Sequence, residues 1–396
     1  MKGNLLVGQS GGPTAVINSS LAGVIDAAQS APQVKKILGM RFGIEGFLEE
    51  QLLDLTDLSE SERTVLGRTP SSALGSCRYK LADEELPRVK ELLQKHEVRY
   101  FIYIGGNDTM DTIHRVVAQC REEGYDLKGV GIPKTVDNDL FGTDHAPGYP
   151  SAARYVALTT QQAGRLASDM RRVDRFAILQ TVGRDAGWLA ASAALARKEP
   201  GDPPHLIYVP ERPINREQLL SDVRSAIEEH GWVYMVVGEG LLWEDGTPVS
   251  ASESTDRFSN IEFGAMGGAS AAANIHRIIH QEMGYRGEFQ IPESMVMAGA
   301  DRVVDLDRRE AFGAGQNGVQ RAISGDDDVM VTIERKGGAF YSSSFGAVPL
   351  KKVANQTKRM PEEMLLQGFV SGAFLDYARP LVGELPTYAT LEHLQQ

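Results

Sequence analysis

Val98-Arg99-Tyr100-Phe101-Ile102-Tyr103-Ile104-Gly105-Gly106-Asn107-Asp108-Thr109 decides the fold. The run Val98–Ile104 is apolar without clean alternation, which marks a strand buried on both faces. Two glycines end it, and Ile113, Val116, Val117 and Cys120 then recur on one helical stripe. Strand, glycine turn and helix form the repeating unit of a parallel sheet. The same unit recurs elsewhere. Leu5-Leu6-Val7 enters Gly8-Gln9-Ser10-Gly11-Gly12; Pro13 follows where a first helical turn accepts it, and Ala15 to Ala28 read as helix. Gly129 to Ile132 precedes Pro133, Phe176 to Val182 precedes Gly183 and an Ala-rich helix, and Tyr234 to Val237 precedes Gly238-Glu239-Gly240. Met330 to Ile333 reads as a late strand returning to the first lobe. The proline-rich stretch Gly201 to Pro213 reads as a surface connection. Arg257 to Arg286, rich in Gly and Ala, yields no assignment.

The fold class is therefore α/β, with parallel sheets and helices on both faces. At 396 residues the chain suits two lobes, and 42% hydrophobic with 24% charged residues is globular composition. A net charge of −12 excludes general attraction to nucleic acid or to an anionic membrane surface. Cys77 and Cys120 are the only cysteines and lack a metal-ligand or disulfide pattern. No apolar run reaches bilayer-spanning length and no leader is visible, so the expected location is cytoplasmic.

In open α/β sheets, ligands gather where strands end in their C-terminal loops. Gly8-Gln9-Ser10-Gly11-Gly12-Pro13-Thr14 suits an anion through backbone approach and a helix N-terminus, but serves equally as a tight turn. It lacks the Lys and Ser/Thr of a Walker loop. In Gly105-Gly106-Asn107-Asp108-Thr109, Asp108 either caps the helix or joins Asn107 in offering oxygens to Mg²⁺. In Pro133-Lys134-Thr135-Val136-Asp137-Asn138-Asp139, an extended chain points Thr135, Asp137 and Asp139 one way and Lys134 the other. A bend would be needed to bring Lys134 in. The alternative there is a solvated acidic turn. In Val182-Gly183-Arg184-Asp185-Ala186-Gly187-Trp188, Arg184 suits a phosphate or a surface ion pair, and Asp185 a helix cap. Glu239 suits a sugar hydroxyl or is an ordinary loop acid.

Gly-Gly-Pro-Thr-Ala-Val-Ile-Asn, Gly-Gly-Asn-Asp-Thr, Pro-Lys-Thr-Val-Asp-Asn-Asp and Val-Gly-Arg-Asp-Ala-Gly-Trp, in this order, resemble the phosphofructokinase family. The resemblance implies two similar Rossmann-like lobes with the site in the cleft between them. Residues 1–140 plus roughly 298–345 would form a phosphate-donor lobe, and roughly 141–297 plus 346–396 a sugar-phosphate lobe. It implies phosphoryl transfer to the 1-hydroxyl of fructose 6-phosphate in glycolysis, with Mg²⁺ as cofactor and a homodimer or homotetramer as assembly. Gly11, Gly12, Arg78 and Thr109 would bind the donor, and Asp137 would accept the hydroxyl proton, with Lys134, Asp108 and Arg184 beside it in catalysis. Thr135, Asp137, Asp139, Val182, Gly183, Arg184 and Glu239 would hold the sugar, with Arg175 reaching a neighbouring subunit's sugar phosphate. Asn107 and Asp108 would hold the metal.

Asp108 and Lys134 stand where ATP-using members resemble Gly-Gly-Asp-Gly and Pro-Gly-Thr-Ile-Asp. Both positions resemble pyrophosphate-dependent members, so pyrophosphate is the expected donor. An ATP-dependent enzyme of the same fold is the nearest alternative. A non-catalytic or altered-substrate phosphate-binding relative is another, because counting back from Asp307 puts Met297 where the family carries an arginine for the sugar phosphate. Arg286 and Arg302 are the candidates to replace it. A nicotinamide oxidoreductase fits less well, since the glycines miss the dinucleotide fingerprint.

Overall fold

A computed structural model describes residues 1–250, 270–338, 340–354 and 356–389. Strands β1 (Gly3–Gln9), β2 (Val34–Met40), β3 (Leu52–Asp54), β4 (Val98–Gly105), β5 (Lys128–Pro133), β10 (Val329–Arg335) and β11 (Ser343–Pro349) build one sheet, ordered β11-β10-β5-β4-β1-β2-β3. Its pairings are parallel except at the two edges, β2–β3 and β10–β11. A second, all-parallel sheet holds β6 (Phe176–Thr181), β7 (Leu206–Tyr208), β8 (Val233–Gly238) and β9 (Gly287–Gln290), ordered β7-β8-β6-β9.

The decisive run is β4, buried throughout except for Arg99, and Ile113, Val116, Val117 and Cys120 are buried on the helix Asn107–Glu122 that follows. Both cysteines are free thiols inside the fold. The late strand is β10, which pairs with β5. The helix Asp305–Ser324 leads into it and lies close on Ile17–Gln29. Glycines permit that approach: a Cβ on Gly23 would meet the Phe312 carbonyl oxygen at 2.0 Å, and one on Gly315 the Ser20 carbonyl oxygen at 2.1 Å.

Two expectations need correction. The first long helix begins at Ile17, so Pro13 lies before it. Gly11, at φ +77°, first turns the chain, and the Thr14 hydroxyl accepts the Val16 N–H before helical bonding begins. The Gly201–Pro213 stretch is no mere surface connection: it contains β7, an edge strand beside β8, with His205 and Val209 buried around it. Of the unassigned Arg257–Arg286 stretch, 257–269 lies outside the described residues. Beyond it, the Ser270 side chain caps the helix Ala271–Met283 by accepting the Ala273 N–H.

Strand order fixes where a ligand can lie. From β1 the chain crosses to β2, while from β4 it crosses the other way to β5, so the β1–β4 boundary is a topological switch point. The turns Gly8–Pro13 and Gly105–Thr109 both leave from that boundary. In the second sheet, Thr181 of β6 pairs with Gly238 of β8, which sets Val182–Arg184 beside Glu239.

Candidate active site

Gly11 donates its N–H to the Cys77 carbonyl at 3.0 Å, and the Ser76 hydroxyl donates to the Gly11 carbonyl at 2.5 Å. The segment bearing Arg78 is thereby laced to the first glycine turn, and Arg78 itself is exposed. Thr109 packs under Gly105, whose Cβ, if present, would meet the Thr109 hydroxyl at 2.0 Å. The helix starts at Asn107 with Gly106 as its cap residue, so Asp108 is not the cap and stands exposed in the first turn. Asp185 does not cap either; Gly187 precedes the short helix Trp188–Ser192.

The loop after β5 is not extended. Asn138 adopts φ +57°, and the Asp137 N–H closes a turn onto the Thr135 hydroxyl at 3.0 Å. Strict alternation therefore fails, and Lys134 is not turned away. Its Nζ donates to the Gly12 carbonyl at 2.7 Å, while its own N–H bonds the Gly105 carbonyl at 3.0 Å. Lys134 thus joins both glycine turns. Burial pulls its ammonium down to about 8, against the pull of Asp137 and Asp139 and with Arg78 adding to the depression.

Asp137 meets the second sheet. A Cβ on Gly183 would lie 4.0 Å from the Asp137 Oδ1, and Gly183, at φ +120°, donates its N–H to the Glu239 Oε1 at 3.1 Å. Gly240 has no room for a side chain because the Arg184 carbonyl oxygen would lie 1.7 Å from its Cβ. That close approach explains the glycine after Glu239. Burial, then the charges of Asp139 and Glu239, push the Asp137 carboxyl well above the usual carboxylate range; Arg184 and Lys134 oppose them. Burial likewise pushes Glu239 up to about 7, opposed by the Gly183 N–H and Arg184. Asp139 is raised by burial, while its own N–H and the Thr135 hydroxyl favour its ionised form. Arg184 is exposed at the mouth, and Val182 packs against the core.

The Asn107 Oδ1 and the Asp137 Oδ1 are buried without a hydrogen-bond partner. Two orphaned hard oxygens, with the Asp108 carboxylate beside Asn107, fit a hard divalent cation that takes few protein ligands.

Two expected residues are elsewhere. Arg302 donates to the Tyr155 carbonyl, the Thr159 hydroxyl and the Gln162 side chain, with its guanidinium 4.3 Å from the Tyr155 ring centre. Those bonds hold it on the helix Tyr149–Met170, so the structure corrects its assignment to the sugar. Arg175 stands just before β6, at the opposite end of the strand from Arg184 and about 20 Å away along it. It cannot serve the site of its own chain.

Sequence reasoning missed Lys358, Glu211 and Tyr377. The Lys358 Nζ donates to the Asn138 side chain and to the Thr143 and Asp144 carbonyls, and its N–H bonds the Asp139 carbonyl at 2.7 Å. The Glu211 carboxylate accepts the Gly187 and Met360 N–H groups. Tyr377 accepts from the Asn138 amide. The segment 357–360 therefore straps the β5 loop of one sheet to the β6 loop of the other.

A buried carboxylate lies between a pair of glycine turns and a second parallel sheet in this α/β fold, an arrangement suited to phosphoryl transfer. The chain belongs to the phosphofructokinase family, whose model, described as Phosphofructokinase, matches residues 4–319. It is 39% identical over 394 residues to a pyrophosphate–fructose 6-phosphate 1-phosphotransferase of Xanthomonas campestris, covering 97% of this chain and 93% of that protein. The pyrophosphate-dependent phosphofructokinase of Marinobacter aquaeolei superposes with a TM-score of 0.86 at 34% identity, over 98% of this chain and 94% of the other. That of Nitrosospira multiformis gives 0.87 at 33% identity, with the same coverage. No described helix is long and apolar enough to cross a membrane.

Proposed function

We propose that this chain transfers a phosphoryl group from pyrophosphate to the 1-hydroxyl of fructose 6-phosphate, giving fructose 1,6-bisphosphate and phosphate, reversibly, as a glycolytic step. The observation that carries this reading is the double engagement of one loop. Lys134 holds Gly12 on one side, and Asp137 lies against Gly183 on the other. A donor on the glycine turns and an alcohol on the second sheet then meet at Asp137. Residues 1–140 with roughly 298–345 make the donor lobe, and roughly 141–297 with 346–396 the sugar lobe. The first sheet runs on to Pro349 at that boundary.

In the reaction the Gly11 and Gly12 turn, Thr109 and Arg78 place the diphosphate. Lys134 and Arg184 neutralise charge on the group in flight, which needs positioning more than covalent help. Asp137 takes the hydroxyl proton as the new P–O bond forms and the bond to the leaving phosphate breaks. Thr135 and Asp139 shape the loop, and Glu239 accepts sugar hydroxyls. Mg²⁺, held by Asn107, Asp108 and the orphaned Asp137 oxygen, would supply charge neutralisation on the diphosphate. Arg175 lies at the opposite end of β6 from its own site and is assigned to the sugar phosphate of another copy in a homodimer or homotetramer. A cytoplasmic setting suits these small anionic substrates.

Phosphate release and aldolase-coupled assays with each donor test the proposal. Turnover is expected with pyrophosphate, fructose 6-phosphate and Mg²⁺. Turnover with ATP in place of pyrophosphate, and none with pyrophosphate, would reject the donor.

A further inference from the structure

We propose that Asn138 is a positioning residue for Asp137: its side chain, held by Tyr377 of the helix Gly372–Val382, fixes the turn that aims the Asp137 carboxylate at the acceptor. This rests on the assignment of Asp137 as the base in the reading above and adds the groups that orient it.

No hydrogen bond aims the Asp137 Oδ1, which is buried without a partner. Its direction therefore comes from the backbone on either side. Before it, the Asp137 N–H closes onto the Thr135 hydroxyl at 3.0 Å. After it, Asn138 takes φ +57°, a left-handed conformation that most side chains avoid and Asn tolerates. Such a backbone persists where its surroundings over-determine it.

Asn138 is over-determined in this sense. It is fully buried, and both ends of its amide are engaged. The Oδ1 accepts the Ala146 N–H at 3.2 Å and the Lys358 Nζ at 3.1 Å, and the Nδ2 donates to the Tyr377 hydroxyl at 2.8 Å. Two donors on one side fix which way the amide faces. The Tyr377 hydroxyl commits its single proton to the Asp144 carbonyl at 2.8 Å, so towards Asn138 it can only accept. Arg335 steadies the phenol: its guanidinium lies 4.6 Å from the ring centre and donates to the Tyr377 carbonyl at 3.0 Å. The loop closes on itself where Thr135 pairs with Gly148. Glycine would adopt the backbone angle as readily, but it would leave the Ala146 N–H and the Lys358 ammonium without this acceptor. The position thus uses the side chain as well as the turn.

The test uses the full chain with pyrophosphate, fructose 6-phosphate and Mg²⁺. Asn138→Gly keeps the backbone angle and removes the tether. Its kcat should fall by about tenfold to a hundredfold, the scale of a reacting group displaced by up to about 1 Å, with both KM values within about threefold of the parent. Tyr377→Phe leaves the amide without its hydroxyl and should lower kcat in the same way, by less. In the double variant the two losses should not multiply, because both act through one side chain. A folded Asn138→Gly with the parent's kcat overturns the proposal, and so does a loss confined to melting temperature or to KM. Losses that multiply overturn the link through Tyr377. Where Asn138→Gly does not fold, Tyr377→Phe decides by the same split between kcat and KM. If the parent turns over with neither pyrophosphate nor ATP, the phosphotransferase reading fails instead, and amide hydrogen exchange decides the tether. The Ala146 amide should then exchange about tenfold faster or more in Asn138→Gly, and unchanged protection there overturns it.

Discussion

The Lys134 ammonium donates to the Gly12 carbonyl across 2.7 Å, joining the loop that carries Asp137 to the first glycine turn. One of its three protons is spent there. The others are available to an anion on the glycine turn, and burial makes each bond to a charged group stronger. Lys134→Met should lower kcat/KM for pyrophosphate by about a hundredfold or more, mostly through donor KM. Steady-state kinetics with donor and acceptor varied separately checks this. An unchanged donor KM would detach Lys134 from donor binding.

Asp137 has a different balance. Its charge is held in the interior beside Asp139 and Glu239, which raises its pKa and costs stability once it ionises. Asp137→Asn should therefore lower kcat by about 10²–10⁴ while raising the melting temperature at pH 8. A folded raised pKa means that stability is fully present below the ordinary carboxylate value and declines as pH rises through the raised one. The asparagine variant lacks that decline. Melting curves at pH 5 and pH 8 beside the kinetic assay would show both effects. Full activity in the variant would dismiss the base.

The loops around Lys134 and Asp137 were readable because unusual residues follow directly on apolar runs, and a parallel sheet delivers all such ends to one edge. The side Lys134 takes was not readable. Alternation assumes an extended chain, and Asn138 breaks it with a left-handed backbone. Lys358 gave no signal at all. It lies in Gln356-Thr357-Lys358-Arg359, without glycine or period, and reaches Asn138 only because Leu140 and Thr357 pair across the folded chain. Glu211 is similar: two N–H groups from separate segments converge on it, and neither contact is written in local sequence. Arg302 misled in the opposite direction, since a side chain free in sequence is fully engaged by Tyr155, Thr159 and Gln162 in space.

Glu239 should set a pH dependence of acceptor binding. Burial first, opposed by the Gly183 N–H and Arg184, brings it up to about 7. Only its ionised form accepts a sugar hydroxyl at both oxygens. Acceptor KM should fall as pH rises through about 7, and Glu239→Gln should flatten that limb while leaving donor KM nearly unchanged. KM measured from pH 6 to pH 8 in both proteins decides it. A Gln variant that retains the slope assigns the titration elsewhere.

Lys358 holds both ends of the loop 138–144 through three carbonyl oxygens and lies 5.1 Å from the Trp188 ring centre. Lys358→Met leaves those acceptors without their shared donor, so it should lower both kcat and the melting temperature. Lys358→Arg retains charge and donors and should recover part of each. Loss of stability with unchanged kcat in the Met variant would make the strap purely structural.

His145 supplies a stability test away from the chemistry. Its Nδ1 lies 2.8 Å from the Asp144 Oδ2 and its Nε2 2.7 Å from the Glu310 Oε2, within a fully buried site that Arg335, Tyr341 and Asp307 also face. Burial pulls the imidazole pKa down, but the two carboxylates outweigh it and hold it above the usual histidine value. The imidazolium therefore favours the folded state. Its contribution is complete below the unfolded value near 6.5 and is lost as pH rises through the raised folded value. His145→Gln should lower the melting temperature most at pH 6, with the difference from the parent narrowing towards pH 9. Melting curves across that range measure it. A constant difference would mean that His145 contributes by shape and hydrogen bonding alone, with the neutral ring bridging Asp144 and Glu310.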